Sequence, residues 1–289
     1  MSDPRESEAA SPGPPDSRVD RPRADPERVA AVPWTEGSRW STPPPGTVDL
    51  WAVDLHSPQG EPTILDAPER ARAERFLLDA PRLQFARARA ALRRILGRSL
   101  EREPGAIRFA IGAHGRPSLA NTAAGSASGA LDFNLSHTGE LAVIAVAFPP
   151  AGAAVQIGVD VEEERAQRPL DRLAERFFAP DEVAQYRAVA GDDRIAAFYR
   201  GWTRKEAYLK AWGTGLTFSS RRFSIDLASN TGSGGAALLR STEMAADDGV
   251  GWRFYDLLPA QGYRGALCLR GEAGTIRRFR LEPVSSGAG

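Results

Sequence analysis

The segment 157–162 places two acidic residues in a run that otherwise has the pattern of a buried β-strand. Side chains alternate between the two faces of a strand, so Asp160 and Glu162 share one face and the neighbouring valines share the other. Gly158 would let another segment or a ligand approach closely. Adjacent carboxylates repel unless a cation joins them, and Mg²⁺ commonly binds one or two carboxylates together with phosphates. The hexapeptide alone fits equally well an exposed strand face neutralised by nearby arginines.

A long helix predicted over residues 194–212 supplies a third acid. Glu206 and Lys210 are four residues apart and therefore share one helical face, with Trp202 one turn earlier on the same stripe. Read alone, this is an ordinary i,i+4 ion pair, which on a surface contributes only about 0.2–0.5 kcal/mol. A third carboxylate beside the other two favours a metal site.

Composition narrows the classes of function. The 37 basic residues balance the 37 acidic ones, so no global field points to DNA, RNA or an anionic membrane. One cysteine excludes an internal disulfide framework and, with only three histidines, a zinc site. The N-terminus has no apolar signal-peptide core, and no run of about 18 apolar residues could cross a bilayer. We therefore expect a cytoplasmic protein that binds neither nucleic acid nor membranes.

Three segments have the composition of chain that does not pack. Residues 1–46 are rich in Pro, Ser, Asp and Arg, and such a segment buries too little apolar surface to offset its ordering entropy. We predict a disordered tail there, with Trp34 or Trp40 as candidate anchors on the folded part. The Ala, Gly and Ser run at 121–130 predicts a flexible surface insertion, and residues 283–289 a disordered C-terminus.

The rest of the chain predicts an α+β fold with two similar lobes, at residues 47–155 and 156–282. Each lobe contains helices and a mostly antiparallel sheet, and the acids lie where the lobes meet. The predicted strands are 48–55, 107–111, 131–135, 141–148, 157–162, 223–227, 236–240, 252–257, 264–269 and 276–281. The predicted helices are 68–78, 81–100, 170–178, 181–190 and 194–212.

A polar turn between two predicted strands is a further candidate. The sequence Ser136-His137-Thr138-Gly139 can present backbone N–H groups and a histidine to a phosphate, as anion-binding nests do. An ordinary hairpin turn with an exposed His137 explains the same residues.

Four blocks of sequence carry a family resemblance. Taken together and in this order, they resemble the 4′-phosphopantetheinyl transferases of the surfactin-synthetase-activating (Sfp) type. The resemblance extends from about residue 48 to about residue 280, without the 121–130 insertion. The blocks are His114-Gly115-Arg116-Pro117, Phe133-Asn134-Leu135-Ser136-His137, Gly158-Val159-Asp160-Val161-Glu162 and Trp202-Thr203-Arg204-Lys205-Glu206-Ala207-Tyr208-Leu209-Lys210.

The resemblance implies a pseudo-two-fold monomer that moves the phosphopantetheine arm of coenzyme A onto a serine of an apo acyl or peptidyl carrier protein. The other product is 3′,5′-ADP. Asp160, Glu162 and Glu206 would hold Mg²⁺, or Mn²⁺ in its place, against the coenzyme A pyrophosphate. Glu206 would also serve as the base for the serine proton, directly or through a water. Lys205 and Lys210 would lie beside the pyrophosphate, with Lys210 stabilising or protonating the leaving phosphate.

The same resemblance implies a separate clamp for the 3′-phosphate of the donor. Arg72 and Arg116 would reach that phosphate, with His137 assisting and Ser136 near the cleft wall. Arginine suits the task because its planar fork binds phosphate oxygens in pairs. Arg116 stands where many relatives carry lysine, which keeps the charge.

Two other classes use similar parts. Another Mg-dependent coenzyme A or nucleotide transferase would share the metal and the arginines without requiring a carrier serine. A non-catalytic coenzyme A-binding module would lack one of the acids or the lysine. Within the family, the choice among carriers of peptide, polyketide and fatty acid synthesis stays open.

Overall fold

Two five-stranded sheets, each covered by one long helix, form the framework of the protein. The computed structural model describes residues 34–112, 114–120, 131–191, 193–213, 218–227, 237–244, 247–271 and 274–284. The described strands are β1 (Thr35–Glu36), β2 (Thr47–Asp54), β3 (Phe109–Ile111), β4 (Pro117–Leu119), β5 (Asp132–Thr138), β6 (Leu141–Phe148), β7 (Gln156–Glu163), β8 (Phe223–Ile225), β9 (Ala237–Thr242), β10 (Trp252–Leu257), β11 (Tyr263–Arg270) and β12 (Thr275–Leu281). The described α-helices are α1 (Ala67–Ala73), α2 (Asp79–Leu100), α3 (Leu170–Phe177), α4 (Pro180–Ala188) and α5 (Asp193–Trp212).

The order of strands defines the two lobes. The first sheet has the order β1-β12-β2-β6-β5 and the second has the order β7-β11-β10-β9-β8. Pairing is antiparallel except at β12, which runs parallel to both β1 and β2. A small hairpin of β3 and β4 stands apart from both sheets. The mixed α+β fold class predicted from the sequence is confirmed.

Alternation along the strands divides the core into layers. In β2, Leu50 faces a core shared between the two sheets, whereas Trp51 faces α2. In β7, Val159 and the other valines and isoleucine of the segment enter the shared core. The intervening positions of β7 therefore face α5. Burial of the odd-numbered apolar residues thus fixes the direction of the two β7 acids.

The long helices match their predicted ranges because their apolar stripes are continuous. The stripe of α2, which includes Leu92 and Leu96, packs on the first sheet, and α5 packs on the second sheet through Tyr208 and its neighbours. Helix α2 ends at Glu101, the one non-glycine residue with positive φ among the described residues. None of the helices that the structure describes is both long and apolar enough to span a bilayer.

The last strand returns to the first lobe. Residues 275–281 pair along their whole length with residues 47–53, so the first sheet contains chain from both predicted lobes. The lobes are therefore not two consecutive segments at the level of the sheets. The division into domains at residues 155 and 156 stays a prediction.

The last residues of the predicted disordered tail, 34–46, contact the folded part of the protein. Within this segment, β1 pairs with β12, Trp40 donates a hydrogen bond to Asp49 Oδ2 (2.6 Å), and Trp34 donates to the carbonyl of Leu258 (3.2 Å). Both tryptophans act as the anchors suggested by the sequence, and they order residues 34–46. Residues 1–33, the 121–130 insertion and residues 285–289 lie outside the described residues, so the predictions for them stay predictions.

Candidate active site

Helix α5 lies unusually close to strand β7, and Gly158 is the reason. A Cβ atom added at this glycine would lie 2.0 Å from the carbonyl oxygen of Ala207 and 2.5 Å from the backbone nitrogen of Ala211. Only a residue without a side chain permits that approach. The close contact brings the acidic face of β7 against the helix that carries Glu206 and Lys210.

One stripe of α5 stays accessible to solvent. Within residues 201–210, only Trp202, Glu206 and Lys210 are not buried. Their spacing of four residues places them on one helical face. The predicted stripe therefore lines the groove beside β7.

Lys210 connects the two lobes at this groove. Its Nζ donates to Asp160 Oδ1 on β7 and to Ser136 Oγ on β5, each at 2.6 Å. The hydroxyl of Ser136 also donates to Asp160 Oδ1 at 2.9 Å. Ser136 and Asp160 are buried, so these three groups form a shielded polar junction.

Polar side chains of β5 hold the edges of the two sheets together. Asp132 Oδ2 accepts a hydrogen bond from the backbone N–H of Ile157 (3.2 Å), and Asn134 Oδ1 accepts one from that of Val159 (3.0 Å). These side chains replace a neighbouring strand for β7. Neither residue was predicted to have this role, although polar groups at every second position from 132 to 138 were a visible signal.

The remaining carboxylates lie in an unfavourable electrostatic environment. The pKa of Glu162 is raised, mainly by burial and secondly by the charge of Asp160. Its Oε1 accepts a hydrogen bond from Trp202 Nε1 (3.3 Å). The pKa of Glu206 is raised to about 7 by the same two causes, although the charge of Lys210 opposes the shift. Asp160 Oδ2 is buried and accepts no hydrogen bond from the described residues. A cation brought to this groove would relieve the repulsion.

The donor set fits a hard divalent cation, although the described residues contain no ready-made metal cluster of three or more His, Cys, Asp or Glu side chains. Three carboxylates offer the oxygen ligands that Mg²⁺ prefers, and Asp160 Oδ2 has no hydrogen-bond partner within the described part of the chain. The ammonium group of Lys210 supplies the positive charge next to Asp160 in this arrangement. Asp160, Glu162 and Glu206 therefore lie beside one groove without forming a closed ligand set, and their role as metal ligands stays a prediction.

A second group of positive charges lies near the groove. Arg72 is exposed on α1, with its guanidinium 5.2 Å from the centroid of the Phe85 ring. His137 on β5 is exposed by its surface area, and its pKa is lowered by partial desolvation of the ring and by the charges of Lys210 and Arg72. Arg72, His137 and Lys210 thus contribute to one electropositive region, which suits an anion.

Arg116 differs from its predicted position in the phosphate clamp. Its Nη2 donates to both oxygens of Asp132 (2.9 Å each) and to the carbonyl of Ile157 (3.1 Å), and its Nη1 donates to the carbonyl of Ala211 (2.7 Å). The guanidinium therefore ties β5, β7 and the end of α5 together. A partner distant in sequence, Asp132, determines this role.

Lys205 also differs from its predicted position. It is 1% exposed, and its Nζ donates to Glu182 Oε2 (2.6 Å) and to the carbonyl of Phe223 (2.8 Å). Adjacent residues on a helix project about 100° apart, so Lys205 does not share the face of Glu206. The structure makes it part of the core of the second lobe.

Comparison with known proteins gives concordant results for both lobes. A family model described as the 4′-phosphopantetheinyl transferase superfamily matches residues 156–268, and one described as 4′-phosphopantetheinyl transferase, N-terminal, matches residues 51–148. The 4′-phosphopantetheinyl transferase HetI of Nostoc sp. is 39% identical over 173 residues, which cover 58% of this chain and 70% of that protein. The 4′-phosphopantetheinyl transferase psf-1 of Bacillus pumilus is 31% identical over 205 residues, 70% of this chain and 77% of that protein.

These matches define the class of protein as an enzyme, a transferase. The chain belongs to the 4′-phosphopantetheinyl transferase family. Among solved structures, the holo-[acyl-carrier-protein] synthase of Thermotoga maritima covers 40% of this chain and 62% of its own, with 23% identity and a TM-score of 0.30. That likeness is too low to bear on the details of the fold.

Proposed function

We propose that the protein transfers the 4′-phosphopantetheine arm of coenzyme A to a serine hydroxyl of apo acyl or peptidyl carrier proteins and releases 3′,5′-ADP. The observation that carries this proposal is the junction of Lys210, Asp160 and Ser136 beside Glu206, where a base, a cation and acidic ligands face one groove. Balanced charge over the whole chain supports a protein partner over nucleic acid or membrane. We further propose that the enzyme acts as a cytoplasmic monomer.

The metal would be held by Asp160, Glu162 and Glu206. When bound, Mg²⁺ would neutralise the pyrophosphate of coenzyme A and orient it for attack. Burial is the largest cause of the raised pKa values of Glu162 and Glu206, and the charge of Asp160 is the second; a bound cation would offset the second cause, which supports this assignment. Mn²⁺, with similar ligand preferences, would substitute.

Glu206 is the proposed general base. A serine hydroxyl is a weak nucleophile at neutral pH and needs a base within hydrogen-bond reach, directly or through one water. Burial and neighbouring carboxylates raise the pKa of Glu206 to about 7, the range in which a carboxylate accepts a proton most effectively near neutral pH. The acceptor serine would thus lose its proton to a residue of α5.

Lys210 is the proposed electrophilic partner. Its ammonium group lies at the junction of the lobes, 2.6 Å from both Asp160 Oδ1 and Ser136 Oγ. A fixed positive charge at that point would stabilise the negative charge that develops on the leaving 3′,5′-ADP, or would protonate it. Ser136 holds the ammonium group in place through the first lobe.

The 3′-phosphate of the donor would bind at Arg72 and His137. His137 is exposed, and its pKa is lowered by partial desolvation and by the charges of Lys210 and Arg72, which supports an electropositive region shared by these groups. Arg116 forms an ion pair with Asp132, so the proposed clamp consists of Arg72 and His137.

The proposal is tested by intact mass spectrometry of candidate apo carriers incubated with coenzyme A and Mg²⁺. A mass gain of one phosphopantetheine per carrier is the expected result. A carrier with its acceptor serine changed to alanine and an enzyme carrying Asp160→Ala are the matched controls, and both should show no gain. Transfer to a small-molecule acceptor in the absence of any carrier modification would instead indicate a different coenzyme A transferase.

A further inference from the structure

Arg72, the arginine proposed to bind the 3′-phosphate, lies on helix α1, which depends on contacts with the rest of the protein for its position. Helix α1 has seven residues, and isolated helices of that length are not stable in water. Its first turn is closed by a capping box in which Glu69 N–H donates to Asp66 Oδ1 (3.0 Å) and Asp66 N–H donates to Glu69 Oε2 (3.2 Å). Capping starts the helix but does not determine where it points.

Two arginines of the long helix α2 fix that direction through Glu69. Arg89 Nε donates to Glu69 Oε1 and Arg93 Nε donates to Glu69 Oε2, each at 2.6 Å. Arg93 also donates through Nη2 to Asp66 Oδ2 at 2.5 Å. Both carboxylate oxygens of Glu69 are therefore used, and the residue is only 6% exposed.

The two arginines are themselves held from behind. Arg93 is fully buried, and its Nη1 donates to the carbonyls of Ile107 (2.8 Å) and Pro104 (3.2 Å). The guanidinium groups of Arg89 and Arg93 lie 4.5 and 5.1 Å from the centroid of the Phe109 ring. The cluster of Glu69, Arg89 and Arg93 is thus held by α2, by backbone carbonyls and by the Phe109 ring, and it fixes α1 relative to α2.

Arg72 lies one turn after Glu69 on the same helix. Residues three apart lie close together on a helix surface, so a rotation of α1 about Glu69 would move Arg72. The guanidinium of Arg72 lies 5.2 Å from the centroid of the Phe85 ring of α2, and its charge contributes to the lowered pKa of His137. The reactions proposed for the active site use none of Glu69, Arg89 and Arg93.

We propose that Glu69, held between Arg89 and Arg93, is a positioning residue that fixes the helix carrying Arg72 and so sets the preference for a donor with a 3′-phosphate. This inference rests on the proposed function, since it assumes that coenzyme A is the donor. It assigns to a buried charge cluster a role in substrate selection, beyond a role in stability.

The test compares coenzyme A with dephospho-coenzyme A as donors for carrier modification. The measured quantity is the ratio of kcat/KM for the two donors in the wild type, Glu69→Gln, Arg72→Ala and the double variant. Arg72→Ala should reduce the preference for coenzyme A by about tenfold, as expected for loss of a charge-assisted contact. Glu69→Gln should reproduce most of that loss through KM, with kcat at saturating coenzyme A within about twofold of wild type. The double variant should lose no more than Arg72→Ala alone, because both changes act on one contact.

The second lobe offers a matched control for lost stability. Glu182 occupies the same place on α4 as Glu69 on α1, and it pairs with a buried cation of the long helix α5. Glu182→Gln should lower the melting temperature and leave the donor preference unchanged. If Glu69→Gln does not fold, Arg89→Gln and Arg89→Lys replace it, with the preference reduced in the first and largely retained in the second.

The outcomes separate this inference from the function on which it rests. Absence of carrier modification by the wild type would overturn the proposed function itself. Carrier modification with equal use of both donors would show that no 3′-phosphate clamp exists and would overturn the positioning role. A folded Glu69→Gln enzyme with lower thermal stability and the wild-type preference would reduce the cluster to a purely structural one.

Discussion

Glu182 and Lys205 form a buried ion pair, with 2.6 Å between Oε2 and Nζ and exposures of 0% and 1%. Glu182 also accepts hydrogen bonds from the backbone N–H groups of Ala179 (2.7 Å) and Ile225 (2.8 Å), so it joins α4, α5 and β8. In the first lobe Glu69 is likewise the third residue of a short helix with a proline in its first turn, and it also pairs with a buried cation of the long helix. The two lobes thus repeat one device for attaching a short helix to a long one.

Lys205→Met should therefore destabilise the fold and leave coenzyme A binding unaffected. Removing one partner of a buried pair leaves the other charge uncompensated, which costs about 3–5 kcal/mol. Denaturant unfolding measures the free energy of unfolding, and calorimetry measures coenzyme A affinity. The double variant with Glu182→Gln should recover part of the loss. A folded Lys205→Met protein that has lost most of its coenzyme A affinity would restore the role of Lys205 at the pyrophosphate.

Lys210→Ala, unlike Lys205→Met, should reduce transfer. Lys210 is partly exposed in the groove and contacts Asp160 and Ser136, so its loss should reduce kcat more than donor affinity if its charge acts on the leaving group. We expect a reduction in single-turnover transfer of about a hundredfold, the scale of losing one preorganised electrostatic contact. Lys210→Arg, which keeps the charge, is the control. A loss of donor affinity with unchanged turnover would indicate that Lys210 acts in ground-state binding instead.

Periodicity predicted the groove but not its supporting contacts. Alternation in β7 and the four-residue spacing in α5 were enough to bring Asp160, Glu162 and Glu206 to one groove. The same rules could not distinguish Lys205 from Lys210, because the difference depends on Glu182, a partner 23 positions earlier in the chain. Arg116 likewise depends on Asp132, and β12 on a strand more than 220 residues away. Local patterns determine the direction of a side chain, whereas the identity of its partner is a property of the tertiary fold.

Glu206→Gln should stabilise the metal-free protein at alkaline pH. The folded-state pKa of Glu206 is raised from 4.5 to about 7, so the folded protein binds more protons than the unfolded chain between these values. Stability from this group is complete below pH 4.5 and is lost as the pH rises through about 7. Partial exposure of Glu206 reduces the size of this effect. We expect the free energy of unfolding of Glu206→Gln to exceed that of the wild type by about 1–2 kcal/mol at pH 8 and to equal it near pH 5.

The measurement is the melting temperature with excess chelator at pH 5 to 8, repeated with Mg²⁺. Mg²⁺ should stabilise wild type more at pH 8 than at pH 6, because the ligand must be ionised. It should stabilise the variant less at both values. A constant difference between the two proteins across the pH range would contradict the raised pKa. Loss of transfer by Glu206→Gln at saturating Mg²⁺ tests its role as the base separately.

Truncation of the N-terminus should have two distinct outcomes. Removal of residues 1–33 should leave stability and transfer nearly unchanged, as their composition predicts. Removal of residues 1–44 should lower the melting temperature by several degrees, because it deletes Trp40 and its 2.6 Å hydrogen bond to the buried Asp49. Trp40→Phe keeps the ring and removes the N–H donor, which isolates that bond. Equal melting temperatures for both truncations would show that residues 34–44 add nothing to the fold.

Arg116→Ala should loosen the contact between the lobes without altering the choice of donor. The guanidinium of Arg116 donates hydrogen bonds to the carboxylate of Asp132 and to the carbonyls of Ile157 and Ala211. The same carboxylate also accepts a hydrogen bond from the backbone N–H of Ile157. Burial raises the pKa of Asp132 against the effect of Arg116, so removing the cation leaves a poorly solvated carboxylate. We expect a loss of about 2–4 kcal/mol in the free energy of unfolding, measured with denaturant. Arg116→Lys keeps the charge but not the four donated bonds, so its stability should fall between that of Arg116→Ala and that of the wild type.

The ratio of kcat/KM for coenzyme A over dephospho-coenzyme A should match wild type in both Arg116 variants, in contrast to Arg72→Ala. A collapse of that ratio in a stably folded Arg116→Lys protein would return Arg116 to the phosphate clamp.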